Sequence, residues 1–220
     1  TGRYALAHFD IDAILLDDGF QHRYLARDLD IVLLDSRQPL GNGFVLPRGP
    51  LREAPSALER AGLIAFTRSE DGAAPPVDGR LSAILSRRPS LRTRIRPTAL
   101  IGPEGTEHPL SVLAGKRVFA FAGIAQPDSF RQTLEALGGI VAGFRAFPDH
   151  HRYTAEDLGR IEQDAGLARA DIVLATEKDL VKLQGLPRAL SRLFALAVET
   201  EILEGADGLE AALRACVGAR

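Results

Sequence analysis

Residues 117–147 read RVFAFAGIAQPDSFRQTLEALGGIVAGFRAF, and this stretch decides the fold. Arg117–Ala122 reads as a strand, with Val118–Ala122 a continuous apolar run. Gly123 and Ala125 follow, and Pro127 with Asp128 opens a helix, because proline costs nothing in a first turn and an acid there suits the helix dipole. Gly138-Gly139 ends that helix, and Val141–Phe147 is a second strand. A strand, a helix and a strand in this order predict parallel pairing through a right-handed crossover.

The same grammar continues toward the C-terminus. Thr154 and Asp157 form a capping box for a helix reaching to about Ala165. Asp171–Ala175 and Leu193–Val198 read as strands, and a last helix runs from about Asp207 to Cys216. Working backward, Ala13–Leu16, Ile31–Leu34 and Leu63–Phe66 are three more apolar runs, predicted as buried strands. Residues 69–80 are rich in Gly, Pro, Asp and Ala and predict a loop. Between Leu91 and Ile101, Arg92, Arg94 and Arg96 alternate with Thr93, Ile95 and Pro97, which predicts an exposed β-ribbon linking two lobes.

Gross composition narrows the function classes. The 220 residues are 45% hydrophobic, enough for one large or two small domains. A net charge of −2 argues against a nucleic-acid partner, whose binders are strongly basic. A single cysteine, Cys216, excludes an internal disulfide and a cysteine-based zinc site and fits a reducing, cytosolic setting. No apolar run approaches the roughly 20 residues needed to span a bilayer. The sequence begins at Thr1 and contains no Met, so a fragment of a longer protein is expected.

The polar clusters fall where the predicted strands end: Asp17–His22, Asp35–Arg37, Gly123–Asp128, Asp149–Tyr153 and Thr176–Asp179. Ligands of open α/β sheets bind at the carboxyl ends of strands. Asp17 and Asp18 close an apolar run as the acids of a Walker B strand do, and two adjacent carboxylates suit a divalent ion; a capped Asp-Gly turn is the structural alternative. Arg52 and Glu53 sit in a long Gly/Pro-rich loop, where Arg52 can clamp a phosphate bidentately and Glu53 can reach a metal. The alternative is Glu53 at a helix N-terminus with Arg52 solvated. Asp149-His150-His151-Arg152-Tyr153 is dense in proton-transfer groups. Thr176 and Asp179 read as an N-cap pair, with Lys178 beside them facing a phosphate. The arginines at 87, 88, 92, 94 and 96 read as a solvated face or as an attraction for anionic lipid head groups.

Taken in order, Asp17-Asp-Gly-Phe-Gln-His22, Arg27-Asp-Leu-Asp-Ile31, Leu46-Pro-x-Gly-Pro-Leu-Arg-Glu53, Phe121-Ala-Gly-Ile-Ala125 with Pro127, Asp149-His-His-x-Tyr153 and Thr176-Glu-Lys-Asp-x-Val-Lys182 resemble the tetraacyldisaccharide 4′-kinase family of lipid A biosynthesis. The resemblance covers about residues 12–200. It implies an α/β fold of parallel sheets flanked by helices, with an incomplete P-loop-kinase-like lobe at 1–85, a β-ribbon linker at 86–112 and a smaller α/β lobe at 113–220. It also implies ATP and Mg²⁺ as cofactors and a disaccharide 1-phosphate lipid A precursor as acceptor. The expected location is peripheral, on the anionic cytoplasmic face of the bacterial inner membrane. By the same resemblance Asp17, Asp18, Gln21 and Glu53 lie near the metal, with Asp17, Gln21 and Lys178 at the nucleotide. His22 and Arg52 lie near the phosphates, and a histidine of the Asp-His-His motif, His150 in preference to His151, pairs with an acid to activate the sugar hydroxyl.

One departure is large. The sequence holds no G-x-x-x-x-G-K-[ST] loop, so nothing in it cradles the β- and γ-phosphates, and the acid partner of His150 is missing too. Residues 1–220 alone are therefore expected to be inactive. Two other readings compete: a metal-dependent phosphoesterase using Asp17, Asp18, Asp35 and His22, and a non-catalytic glycolipid-binding remnant.

Overall fold

The computed structural model describes residues 2–183, 185, 190 and 192–218. Contacts divide the chain into two compact units, Thr1–Arg94 with Ile202–Arg220, and Ile95–Glu201.

In the first unit, α1 (Gly2–His8) buries none of its residues, β1 (Ile31–Asp35) pairs parallel with β2 (Leu63–Thr67), and α2 (Gly79–Leu85) precedes β3 (Ser90–Ile101). β2 pairs parallel with the start of β3, in the register Ile64 to Ser90 and Phe66 to Arg92. Alternation along β2 sorts the packing. Ile64 and Phe66 face Leu34, Leu58, Leu81 and Ile84, whereas Leu63 and Ala65 face Leu91, Leu209 and Ala212. Leu209 and Ala212 belong to the last helix, which therefore covers one face of the first unit.

The second unit holds the rest: the short β4 (Glu107–His108), β5 (Arg117–Ala122), α3 (Pro127–Ala136), β6 (Ile140–Ala146), α4 (Ala155–Leu167), β7 (Ile172–Thr176), α5 (Glu177–Lys182) and the greater part of β8 (Leu193–Glu204). α6 (Ala206–Gly218) is the helix that packs in the first unit. The strand order β8-β7-β5-β6 is parallel throughout, and the short β4 runs antiparallel against the end of β3. Val118, Ala120 and Ala122 pack with Phe130 and Leu134 of α3, while Phe119 and Phe121 pack with Leu158 and Ile161 of α4. The two helices thus lie on opposite faces of β5, as the period-two alternation of a strand requires. Where Phe119 pairs with Gly143, the register slips by one residue, and a Cβ on Gly143 would come within 2.6 Å of the Phe119 ring.

The βαβ reading of 117–147 holds. Gly138, at φ +83°, follows the C-cap residue Leu137, and Thr154 with Asp157 forms the capping box. The fold class is α/β, a mostly parallel sheet flanked by helices.

Three expectations fail. Ala13–Leu16 is not a strand: the segment is irregular and exposed, with Leu15 94% accessible. A parallel strand is stabilised by neighbours on its edges and layers on both faces, and this run has neither among the described residues. β1 is not fully buried either, since Leu33 is 65% accessible and β1 is an edge strand. Finally, α2 starts inside the predicted loop, where Asp78 caps it by accepting from Leu81 N at 2.7 Å.

β3 and β8 carry the chain from one unit to the other. Their arginines are paired with acids. Arg92 meets Glu204 at 2.7 Å within the first unit, and Arg96 meets Glu199 and Glu201 within the second. The ribbon is therefore not a bare cationic face.

Candidate functional site

In the first unit, the two motifs picked out by sequence come together. The segment 17–22 is a series of turns, and Asp18 sits at φ +52°, a left-handed conformation that Asp tolerates better than most residues. From there its carboxylate accepts two hydrogen bonds from Arg52 Nη1, at 2.7 and 2.6 Å. The neighbouring residues are joined in parallel: Gln21 Nε2 donates to Glu53 Oε1 at 3.2 Å. Asp18 beside it holds the Arg52 guanidinium above its ordinary pKa. The Glu53 carboxyl is held below the usual range, chiefly by the hydrogen bond from Arg60 and also by Gln21.

Arg60 was not singled out in the sequence. It donates to Glu53 at 2.9 Å and lies over the Phe20 ring at 4.5 Å, so it fastens both motifs. Its position in a 3-10 turn, Pro55–Arg60, gives no periodic signal that would have flagged it. Asp17 and His22 are exposed beside this cluster. The loop that carries Arg52 is tightly made. Asn42 accepts from Phe44 N and donates to Arg48 O, and Arg48 covers the Phe44 ring at 3.8 Å. Gly49 is required there, since a Cβ would lie 2.1 Å from Asn42 Oδ1 and 2.3 Å from Phe44 O.

Of the predicted metal residues, Gln21 pairs with Glu53, Asp18 pairs with Arg52, and Asp17 is exposed next to Asp18. Among the described residues no three of His, Cys, Asp and Glu converge on one point. That arrangement fits a magnesium ion held by one or two carboxylates together with phosphate oxygens and water, and does not fit an all-protein cage. Asp35, at the end of β1, pairs with Arg68 at 2.7 Å, away from any such cluster.

In the second unit, the Asp149–Tyr153 motif splits its two histidines. His150 sits at φ +58° with its side chain 90% accessible, and its Nε2 is 3.8 Å from Asp149 Oδ2. His151 is turned inward. Its Nε2 is 3.1 Å from Asp157 Oδ2, and its ring stacks on Phe147 at 4.7 Å. His151 is thereby committed to the N-terminus of α4, while His150 is free to meet a solute. Lys178 is exposed on α5. Thr176 caps α5 as predicted, but the Asp179 side chain does not return to the cap backbone: it is fully buried and accepts from Gly123 N at 3.0 Å.

Burial alone would push the Asp157 carboxyl up. The hydrogen bonds from His151 and from the Thr154 amide and hydroxyl outweigh it and hold the carboxyl below its usual value. A depressed folded pKa gives stability that is present above the unfolded value of about 3.9 and lost as pH falls through the folded one. The N-terminus of α4 is therefore expected to loosen below about pH 4. Amide exchange at residues 150–158, followed from pH 6 to pH 3, checks this; an Asp157→Asn chain should show a flatter response over that range.

Comparison with known proteins agrees with the motifs. The family model described as Tetraacyldisaccharide-1-P 4'-kinase matches residues 1–217. A tetraacyldisaccharide 4'-kinase of Anaeromyxobacter sp. (strain K) is 46% identical over 222 residues, covering 99% of this chain and 59% of the relative. That of Anaeromyxobacter dehalogenans (strain 2CP-C) is 49% identical over 220 residues, covering 96% and 57%. A crystal structure of LpxK from Aquifex aeolicus in complex with ATP superposes with a TM-score of 0.71 at 30% identity, covering 98% of this chain and 61% of that one. The chain thus spans about three-fifths of the length of the relatives it matches. With the ordered motifs, the α/β fold and these matches in agreement, the chain belongs to the tetraacyldisaccharide 4'-kinase family.

Proposed function

We propose that this chain carries part of the site of an ATP-dependent kinase that phosphorylates the 4′-hydroxyl of a tetraacylated disaccharide 1-phosphate in lipid A biosynthesis. The observation that carries the reading is the pairing of the Asp-Asp-Gly-Phe-Gln-His and Pro-Leu-Arg-Glu motifs through Asp18–Arg52 and Gln21–Glu53. Phosphoryl transfer needs little covalent chemistry from the protein; it needs placement and charge compensation. Arg52 compensates charge on the transferring phosphoryl group, and its bond to Asp18 aims it. Asp17, Asp18, Gln21 and Glu53 are the oxygen donors that would hold Mg²⁺, which when bound neutralises phosphate charge. His22 and Lys178 are exposed near their motifs and serve as further phosphate contacts.

His150 acts on the acceptor. Its imidazole takes the proton of the 4′-hydroxyl as that oxygen bonds to the γ-phosphorus, while the bond from phosphorus to the bridging oxygen breaks and ADP leaves. The acceptor is a glycolipid, so a peripheral position at the cytoplasmic face of the inner membrane belongs to this reading. Among the described residues no helix is long and apolar enough to cross a membrane.

The sequence has no Walker A loop, so residues 1–220 alone are expected to transfer no phosphate. The test vehicle is a chimera in which the part of the Anaeromyxobacter kinase not matched by this chain is joined to residues 1–220. In an active chimera, Asp18→Asn and Arg52→Gln should each lower kcat by about 10²–10³-fold, the size of effect seen when one preorganised charge-stabilising group is removed. Steady-state kinetics with radiolabelled ATP measures this. An unchanged kcat in both variants would remove the first-unit cluster from the reaction.

A further inference from the structure

Among the described residues of the second unit, the most heavily buried charged side chain takes no part in the chemistry above. Asp179 is 0% accessible. Its Oδ2 accepts from Gly123 N at 3.0 Å and from Thr176 Oγ1 at 2.7 Å, and its Oδ1 meets Lys182 Nζ at 3.1 Å. Lys182 Nζ also donates to Gly123 O at 3.3 Å. Both sides of Gly123 are therefore held, the amide by Asp179 and the carbonyl by Lys182.

Gly123 is also where the third loop arrives. A Cβ placed on it would lie 3.1 Å from Asp179 Oδ1, 3.1 Å from Tyr153 Oη and 3.3 Å from Pro148 O. The loops that leave β5, β6 and β7 at their carboxyl ends thus converge on one glycine. These ends flank the point where the strand order reverses, between β5 and β7, the place in an open α/β sheet where a ligand ordinarily sits. Here the side chain of Asp179 fills it.

The β6 loop is the one that carries His150. Its backbone turns at Pro148 O, which accepts from His151 N at 3.1 Å. Tyr153 closes it, with its ring buried edge-on against Phe121 at 5.6 Å and Phe147 at 5.0 Å. The Tyr153 hydroxyl is buried beside the Asp179 carboxylate, and burial together with that carboxylate pushes the phenol well above its ordinary pKa. An exposed imidazole at φ +58° keeps one direction only if both flanks of its turn are fixed.

We propose that Gly123, Asp179 and Lys182 form a positioning knot for the known reaction of the family: the absence of a side chain at Gly123 and the clamping of its peptide groups let the His150 turn seat against β5, and so set the placement of the imidazole. This rests on the reading of His150 as the base. Groups held through such a shell are sensitive to small displacements, and a shift of about 1 Å can cost about 10²-fold in rate.

Gly123→Ala is the direct wedge, and Tyr153→Phe removes only the hydroxyl while keeping the ring that packs on Phe121 and Phe147. In the active chimera, Gly123→Ala should lower kcat about tenfold or more with KM within about twofold, and Tyr153→Phe should leave both within about twofold. In residues 1–220, amide exchange at Asp149–Tyr153 should quicken at least about tenfold in Lys182→Met and recover in Lys182→Arg, whether or not Gly123→Ala folds. Unchanged kcat in a folded Gly123→Ala, or unchanged exchange in Lys182→Met, overturns the knot. If His150→Ala itself leaves kcat intact, the functional reading fails instead, and the exchange result stands apart from it.

Discussion

Replacing His150 by alanine in the active chimera is expected to lower kcat by about 10²–10⁴-fold while leaving stability almost unchanged, the usual contribution of a positioned general base. The imidazole is 90% accessible and lies 3.8 Å from the Asp149 carboxylate, so its removal breaks little. His151→Ala should behave in the opposite way. It loses the 3.1 Å contact to Asp157 and the stack on Phe147, which costs about 1–2 kcal/mol of stability, and it leaves kcat within about tenfold. Urea unfolding and steady-state kinetics on the two variants separate the roles. A larger kcat loss at His151 would exchange them.

Asp179→Ala is expected to destabilise the second unit by about 3–5 kcal/mol. The carboxylate is fully buried and is acceptor to Gly123 N, Thr176 Oγ1 and Lys182 Nζ. Its loss strands a backbone amide and a partly buried ammonium, and removing one partner of a buried pair costs more than the pair itself contributes. Against a total of about 5–15 kcal/mol for a typical domain, such a loss brings the unit near its unfolding threshold at room temperature. Asp179→Asn, which keeps the shape and one acceptor oxygen, should cost less than the alanine. Urea midpoints followed by far-ultraviolet circular dichroism measure both. A cost below about 1 kcal/mol for the alanine would show that water replaces the carboxylate and that the buried network is not what holds these loops.

Local signals were legible where they answer to neighbours in sequence. The β5–α3–β6 unit, the Thr154–Asp157 capping box and the glycine that ends α3 depend on residues at most a few turns apart, and each lies where the sequence puts it. α2 escaped notice because only Leu81 and Ile84 of its seven residues are buried, too few turns to establish a period. Ala13–Leu16 misled for the opposite reason: its apolar run is a strand signal, but a strand is a property of its neighbours. α6 is amphipathic, but its sequence does not say which sheet its apolar face will cover; Leu209 and Ala212 settle on Leu63 and Leu91.

The site was legible as a set of motifs, and its wiring was not. Nothing near Asp18 in sequence announces Arg52, 34 residues on, as its partner. Asp179 was hidden by its own local role. An acid three residues after a threonine reads as a capping partner, and that reading conceals a carboxylate whose amide donor lies 56 residues away. Such contacts are fixed by strand order, which places the carboxyl ends of β5 and β7 side by side.

The central claim is that residues 1–220 hold the acid, arginine and histidine part of a lipid kinase site that works only with a phosphate-gripping loop. Transfer of label from γ-³²P-ATP to tetraacyldisaccharide 1-phosphate measures it most directly, with residues 1–220 and the chimera assayed side by side. The account predicts a labelled 4′-phosphate product with the chimera and none with residues 1–220. Transfer by residues 1–220 alone, or a folded, ATP-binding chimera that transfers nothing, would contradict it.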